Sequence, residues 1–247
     1  CMKKTIFSIM CCLLFWTGLT MAAENNFAID KIKTTKGDLT ISFIGHATLM
    51  MHFDGKVIYI DPVSRYADYT KMPKADLILI THEHTDHFDL KTIDIIKTEK
   101  TTAVVTEIVA RQLKGGIILK NGEEKIVGGL KIEAVPAYNI VHMRSPGVPF
   151  HGKGTGNGYI ITFGDKRLYI AGDTENTPEM KNLRNIDIAF LPMNVPYTMT
   201  PEMVADAAKA FRPGILYPYH YGNTDTQKLI DLIKNEKNIE VRIRKMM

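Results

Sequence analysis

The sequence predicts an α/β protein that folds as one four-layer αββα sandwich, with two sheets facing each other and helices on both outer faces. Each half of the chain contains a β-rich segment followed by strands that alternate with helices, as the apolar spacing indicates. Neither a short-period repeat nor an inter-domain linker separates the halves. The 247 residues are 45% hydrophobic and 23% charged, which is ordinary for a globular protein and enough to bury a large core. We therefore expect a single domain over residues 24–247.

The first half begins with apolar runs parted by turn residues, which indicates an antiparallel meander. Its expected strands cover residues 31–35, 39–45, 48–53 and 56–61. Asp54-Gly55 between two of these runs is a hairpin signal. Beyond the meander we expect a buried strand, a helix, a second strand and a short helix, over residues 76–80, 89–97, 102–105 and 106–113.

The second half returns to strands, over residues 126–127 and 130–135. Residues 138–158 are polar and rich in glycine and proline, and a loop of that length is commonly functional. Apolar spacing predicts two helices, 201–211 and 224–234, and Thr200 is a candidate N-cap for the first of them. The remaining expected strands cover residues 159–163, 167–171, 187–191, 215–218 and 239–243.

The first 23 residues have the layout of a secretory signal peptide, in which a basic pair, an apolar run and small residues follow one another: Lys3 and Lys4, then residues 5–19, then Ala22 and Ala23. An uncleaved membrane anchor is the alternative, but about fifteen apolar residues are short for a membrane span. We therefore expect a periplasmic or secreted protein with no stable membrane insertion after the leader is removed.

The positions of the cysteines and the net charge limit the metal ligands and the partners that we expect. All three cysteines lie in the expected leader, so a metal site in the mature chain must use histidine and carboxylate ligands. The net charge is +4, and removing the two leader lysines leaves 4 − 2 = +2. Lysine and arginine are scattered rather than clustered, so we expect no nucleic-acid partner.

The strand expected at residues 76–80 runs into His82-Glu83-His84-Thr85-Asp86-His87. Imidazole and carboxylate are the ligands that zinc and similar divalent metals prefer. Residues two apart in an extended chain point the same way, so His82 and His84 can hold one ion together. A turn after them can bring Asp86 and His87 to a neighbouring position. The motif therefore predicts a metal site carried by a loop rather than by a zincin helix.

Two distant residues, Asp173 and His220, also follow expected strands. Asp173 lies in a Gly-Asp-Thr turn, where its carboxylate could bridge two cations or could simply cap the turn. His220 could be a ligand or a hydrogen-bonded core histidine. The residues themselves leave both alternatives open.

Together these motifs resemble the signature of the metallo-β-lactamase fold superfamily, and the resemblance covers essentially the whole mature chain. Further motifs are Gly-His-Ala-Thr at 45–48, Ile-Asp-Pro at 60–62 and Pro-Ala-Tyr-Asn at 136–139. They resemble the branch of metal-dependent hydrolases that includes the ascorbate-6-phosphate lactonases and the N-acyl-phosphatidylethanolamine phospholipase D.

The resemblance implies two groups of metal ligands joined by a bridging carboxylate. The first metal would be held by His82 and His84, the second by Asp86, His87 and His220, and Asp173 would bridge them. A third histidine for the first metal commonly follows the strand expected to end near residue 135, where this sequence has Asn139. The asparagine oxygen, His142 or His151 could complete that group, and we favour His151. If none of them serves, a single metal becomes possible.

The resemblance also implies a mechanism for an exported hydrolase with two divalent cations, zinc or manganese, and a metal-bound hydroxide that attacks an ester-type bond. Asp86 would orient the nucleophile, and His46, Tyr138 or Tyr197 would stabilise the developing anion. His46 and Asp61 are also expected to contact or orient the ligands. The expected substrate is a small-molecule or lipid-like ester, either a phosphodiester or a lactone. A β-lactamase and a non-catalytic periplasmic metal-binding module are the alternatives.

Overall fold

The computed structural model describes residues 27–246, and the expected signal peptide lies outside them. Two seven-stranded sheets form the centre of this part of the chain. The first sheet holds its strands in chain order: β1 (Ala28–Thr34), β2 (Gly37–Gly45), β3 (Thr48–Phe53), β4 (Lys56–Ile60), β5 (Leu77–Leu79), β6 (Thr102–Val105) and β7 (Ile117–Ile118). Strands β1 to β4 are antiparallel, as the meander pattern predicts, and β4 to β7 are parallel.

The turn between β3 and β4 shows why the meander forms where it does. Asp54 and Gly55 both have positive φ, 49° and 70°, as the tightest hairpin turns require. Within β3 the side chains alternate, so Leu49 and Met51 join the core between the sheets while Met50 faces the helices.

The second sheet contains β8 (Glu124–Val127), β9 (Leu130–Ala137), β12 (Gly156–Phe163), β13 (Lys166–Ile170), β14 (Ile188–Pro192), β15 (Ile215–Tyr219) and β16 (Glu240–Val241). Their spatial order is β16-β15-β14-β13-β12-β9-β8. A separate small hairpin pairs β10 (Met143–Ser145) with β11 (Val148–Pro149). The last expected strand, residues 239–243, is therefore only two residues long.

Helices cover the outer faces of both sheets. Their bounds are α1 (Leu90–Ile96), α2 (Glu107–Leu113), α3 (Pro178–Lys181), α4 (Pro201–Phe211) and α5 (Thr226–Ile233), with a short 3-10 helix at Tyr69–Lys71. The expected cap is present at α4, where the Thr200 hydroxyl accepts a hydrogen bond from the Met203 amide. One apolar core lies between the sheets, and one lies between each sheet and its helices, which confirms the four-layer sandwich.

The long loop expected at residues 138–158 is only partly a loop. Its last residues belong to β12, which pairs with β9 from Gly156 opposite Ala137 onward. Gly158 hides the strand from the sequence pattern, but a side chain cannot fit there: a Cβ would lie 2.8 Å from the Ala171 carbonyl oxygen. The hairpin of β10 and β11 occupies the middle of the segment. In the described part of the chain, no helix is long and apolar enough to span a membrane.

Candidate metal centre

The candidate ligands converge at one edge of the sandwich because each follows the carboxyl end of a strand. The histidine motif follows β5, Asp173 follows β13, His220 follows β15 and His46 follows β2. The two sheets are joined there by a hydrogen bond from the Asn157 amide to the Thr81 carbonyl, 2.9 Å long. Open α/β sheets generally bind ligands at such strand ends.

Three histidines form the first group, His82, His84 and His151, whose ring nitrogens lie within 4.8 Å of one another. The closest pair is His151 Nε2 and His84 Nδ1, 3.2 Å apart. The loop after β9 therefore folds back to bring His151 beside the motif, as the sequence analysis favoured.

Asn139 is placed to orient His151 rather than to bind metal. Its side-chain oxygen accepts hydrogen bonds from the His151 backbone amide at 2.9 Å and from His151 Nδ1 at 2.8 Å. Its Nδ2 donates to the Tyr197 carbonyl at 2.9 Å and to Glu175 at 3.2 Å. The third alternative, His142, lies outside the group, with Nδ1 at 2.7 Å from Glu175 Oε1.

The second group contains His46, Asp86, His87 and His220, again with ligand atoms within 4.8 Å of one another. Asp86 Oδ2 lies 3.2 Å from His46 Nε2 and 3.6 Å from His220 Nε2. His46 has a positive φ of 54°, and its backbone is fixed by hydrogen bonds to Met246 and His220. The turn at Gly45-His46 thus brings a third imidazole ring, beside those of His87 and His220, close to Asp86.

Asp173 lies between the two groups. Its Oδ1 is 3.2 Å from His87 Nε2, and its Oδ2 is 3.3 Å from His220 Nε2 and 3.4 Å from His151 Nε2. The carboxylate is only 4% exposed. One buried carboxylate therefore reaches ligands of both groups, which is the arrangement needed to bridge two cations.

Unpaired buried atoms show that the site fits metal ions. Buried polar atoms normally have hydrogen-bond partners. Among the described residues, the converging atoms His82 Nε2, His87 Nε2, Asp173 Oδ1 and both His220 nitrogens have none. On its other side, His87 Nδ1 lies 2.8 Å from Asp61 Oδ2, which keeps Nε2 free to ligate. This set of nitrogen and oxygen ligands suits zinc or manganese.

The electrostatics divide the centre into two different halves. Burial lowers the pKa of His151 to about 4 and holds the pKa of His82 well below its ordinary value. Burial would also lower the pKa of His220, but the Asp173 carboxylate outweighs it and raises that pKa to about 9. The pKa of His87 is raised by Asp173 in the same way. His82 and His151 of the first group are therefore neutral and ready to ligate, whereas His87 and His220 of the second would have to lose protons when metal binds.

Two cavities open onto the centre, of about 200 and about 600 Å³. Both are lined by Arg144 and Phe150 of the loop after β9, and the larger one also by Tyr197. The sequence does not single out Arg144, because one arginine within the polar residues 138–158 belongs to no recognisable motif.

The structure does not support the expected role of Tyr138 as an anion stabiliser. Its hydroxyl donates to Glu179 at 2.8 Å, and the residue lines neither cavity. The end of β9 fixes the position of the Tyr138 backbone. The position of its hydroxyl depends on Glu179 in α3, a helix that the sequence pattern does not reveal. Of the two tyrosines, Tyr197 is better placed to stabilise an anion, because it lines the larger cavity.

Comparison with known proteins gives consistent results. Residues 40–220 match the family model described as the beta-lactamase superfamily domain. A UPF0173 metal-dependent hydrolase of Methanopyrus kandleri is 32% identical over 197 residues, which cover 74% of this chain and 84% of that protein. Another, of Geobacillus thermodenitrificans, is 30% identical over 213 residues, 79% of this chain and 93% of that one. The crystal structure of a protein from Parabacteroides distasonis matches with 51% sequence identity and a TM-score of 0.85. The match covers 90% of this chain and 100% of that one.

Proposed function

The chain belongs to the beta-lactamase superfamily as one of its metal-dependent hydrolases, and on that premise we propose that it cleaves an ester-type bond, in a phosphodiester or a lactone, with two divalent cations. The observation that carries the proposal is the position of Asp173: its Oδ1 faces His87 of the second group, and its Oδ2 lies between His151 of the first group and His220 of the second. The first cation would be held by His82, His84 and His151, and the second by Asp86, His87 and His220, with Asp173 between them.

Zinc or manganese bound there would polarise the scissile group and lower the pKa of a water towards neutrality. The residues supply orientation and proton handling. Asp86 is 36% exposed towards the larger cavity. Burial raises the pKa of its carboxyl, but the His220 and His46 rings beside it outweigh burial and hold that pKa below its ordinary value. Asp86 is therefore an ionised carboxylate that can accept the hydrogen bond, and then the proton, of an attacking water.

The walls of the larger cavity support a substrate with an anionic group and an apolar part. Arg144 lines this cavity, and its guanidinium carbon stands 5.9 Å from the Phe150 ring centre, so a positive charge faces a ligand bound there. Apolar side chains of the loop that carries Arg144 and Phe150 are exposed, with Val141 at 63% and Val148 at 50%. A small-molecule or lipid-like ester fits these surroundings. Because the sequence of residues 1–23 is typical of a secretory signal peptide, we propose that hydrolysis takes place in the periplasm or outside the cell.

The test is hydrolysis of a chromogenic panel containing a phosphodiester, a lactone and simple esters by protein loaded with zinc or manganese. We expect activity that is lost with a chelator and restored by the metal. Asp86→Asn should lower kcat by about 10²- to 10⁴-fold, the usual contribution of a positioned acid–base group. Asp94→Asn, which removes an exposed carboxylate from α1, is the matched control and should leave kcat unchanged.

Other outcomes would replace the proposal. Hydrolysis of nitrocefin with no turnover of the ester panel would favour a β-lactamase. A protein that binds metal and remains inert across the panel would favour a non-catalytic metal-binding module.

A further inference from the structure

A fully buried carboxylate, that of Glu175, lies beside the candidate metal centre and contacts the loop that follows β9. Glu175 is 0% exposed and accepts hydrogen bonds from three successive backbone amides. These amides belong to Ile140 at 2.6 Å, Val141 at 2.6 Å and His142 at 2.7 Å. Three consecutive N–H groups converging on one carboxylate fix the course of the chain immediately after β9.

The same carboxylate also holds the side chain of Asn139, whose Nδ2 donates to Glu175 Oε1 at 3.2 Å. This contact decides which way the amide faces. With Nδ2 directed at Glu175 and at the Tyr197 carbonyl, the amide oxygen faces His151.

The amide oxygen in turn sets the His151 ring. Accepting from Nδ1 at 2.8 Å, it favours the tautomer that carries its proton on Nδ1. The lone pair on Nε2 is then left to face His84 Nδ1 and Asp173 Oδ2, at 3.2 and 3.4 Å. A series of hydrogen bonds thus runs from Glu175 through Asn139 to His151 Nδ1, on the side of the ring opposite the ligand atom Nε2.

We propose that Glu175 is a positioning residue of the first metal group, acting through Asn139 to hold His151 Nε2 in ligating orientation. The inference rests on the proposed metal-dependent function and deepens it by explaining how an asparagine near the end of β9 and a histidine twelve residues later together provide one ligand. Residues that orient metal-binding histidines are typically worth 10- to 100-fold in metal affinity.

Glu175→Gln tests the proposal because it keeps the size of the side chain and replaces one acceptor oxygen by an NH₂ group. Whichever oxygen is replaced, two of the four donors now face a donor. Glu179→Gln is the matched control: its carboxylate accepts from Tyr138 and pairs with Lys153 on an adjacent turn, without contact to Asn139. Both variants are titrated with Co²⁺, following the visible absorption bands of the bound ion, and with Zn²⁺ in competition with a chelator.

We expect Glu175→Gln to weaken binding at one of the two ions by about 10- to 100-fold and to change its absorption bands, while the other ion binds as in the wild type. Glu179→Gln should match the wild type at both. A loss of thermal stability in Glu175→Gln with unchanged affinity and bands would overturn the proposal, because it would show that Glu175 supports only the loop.

A second variant tests the order of the series and does not depend on Glu175→Gln folding. Asn139→Ala removes the relay and should cause the same fall in affinity. If Glu175 acts through Asn139, adding Glu175→Gln to Asn139→Ala should cost little more affinity, whereas full additivity would contradict the series. These readouts need metal binding only, so a protein that binds two ions and hydrolyses nothing would refute the proposed function without touching this inference.

Discussion

Removing the metals and raising the pH should destabilise the protein, because the second ligand group then loses its internal ion pairs. In the metal-free protein the pKa of His220 is about 9, against an ordinary 6.5, since Asp173 outweighs the effect of burial. A raised folded-state pKa contributes stability that is fully present below pH 6.5 and is lost as the pH rises through 9. At 1.36 kcal/mol per pH unit, the shift corresponds to about 3 kcal/mol. His87, whose pKa is raised for the same reason, adds in the same direction.

The assay is urea or thermal unfolding of chelator-treated protein between pH 6.5 and 9.5. For a chain of this size about 3 kcal/mol corresponds to a fall in Tm of roughly 6–12 °C. His220→Gln should flatten this part of the profile, whereas His52→Gln, in a hairpin strand away from the centre, should leave it unchanged. Zinc-loaded protein should instead gain stability with pH, because binding requires the His220 proton to leave. A metal-free protein whose stability stays level or rises from pH 6.5 to 9 would refute the reasoning.

Three further outcomes are expected. Asp61→Asn should lower metal affinity by about 10- to 100-fold, because His87 Nδ1 loses its charged acceptor at 2.8 Å. The loss would be measured as a lower metal content after dialysis, and full metal occupancy at low free zinc would contradict it. Arg144→Gln should raise KM for anionic esters and leave the hydrolysis of neutral esters unchanged. If hydrolysis of anionic and neutral esters were impaired equally, recognition of the substrate's charge by Arg144 would be excluded. Asp30→Asn should lower the free energy of unfolding by about 1–3 kcal/mol in urea, because the paired Arg244 guanidinium loses its charged acceptor while remaining partly buried; an unchanged midpoint would argue against it.

Much of the fold follows from local sequence pattern. The α4 helix occupies the expected residues, Pro201–Phe211, because its apolar spacing, its Thr200 cap and the proline in its first turn all agree. The hairpin at Asp54-Gly55 has the backbone geometry that its two residues favour. Very short elements escaped prediction: α3 has four residues and β7 only two, too few for any period to show. Gly158 concealed the start of β12, because the close approach of the neighbouring backbone, and not the strand pattern, requires glycine there.

The histidine motif, Asp173 and His220 could be chosen from the sequence because each is a metal-competent residue directly after an apolar strand, and strand ends meet at one edge of a sheet. The structure brings all of them together. The sequence favoured His151 but left Asn139 and His142 open, and it did not reveal Glu175 or Arg144. Those choices depend on hydrogen bonds between residues 12 to 36 positions apart, and such contacts exist only once β9, β12 and β13 have paired and the loop has folded over their ends.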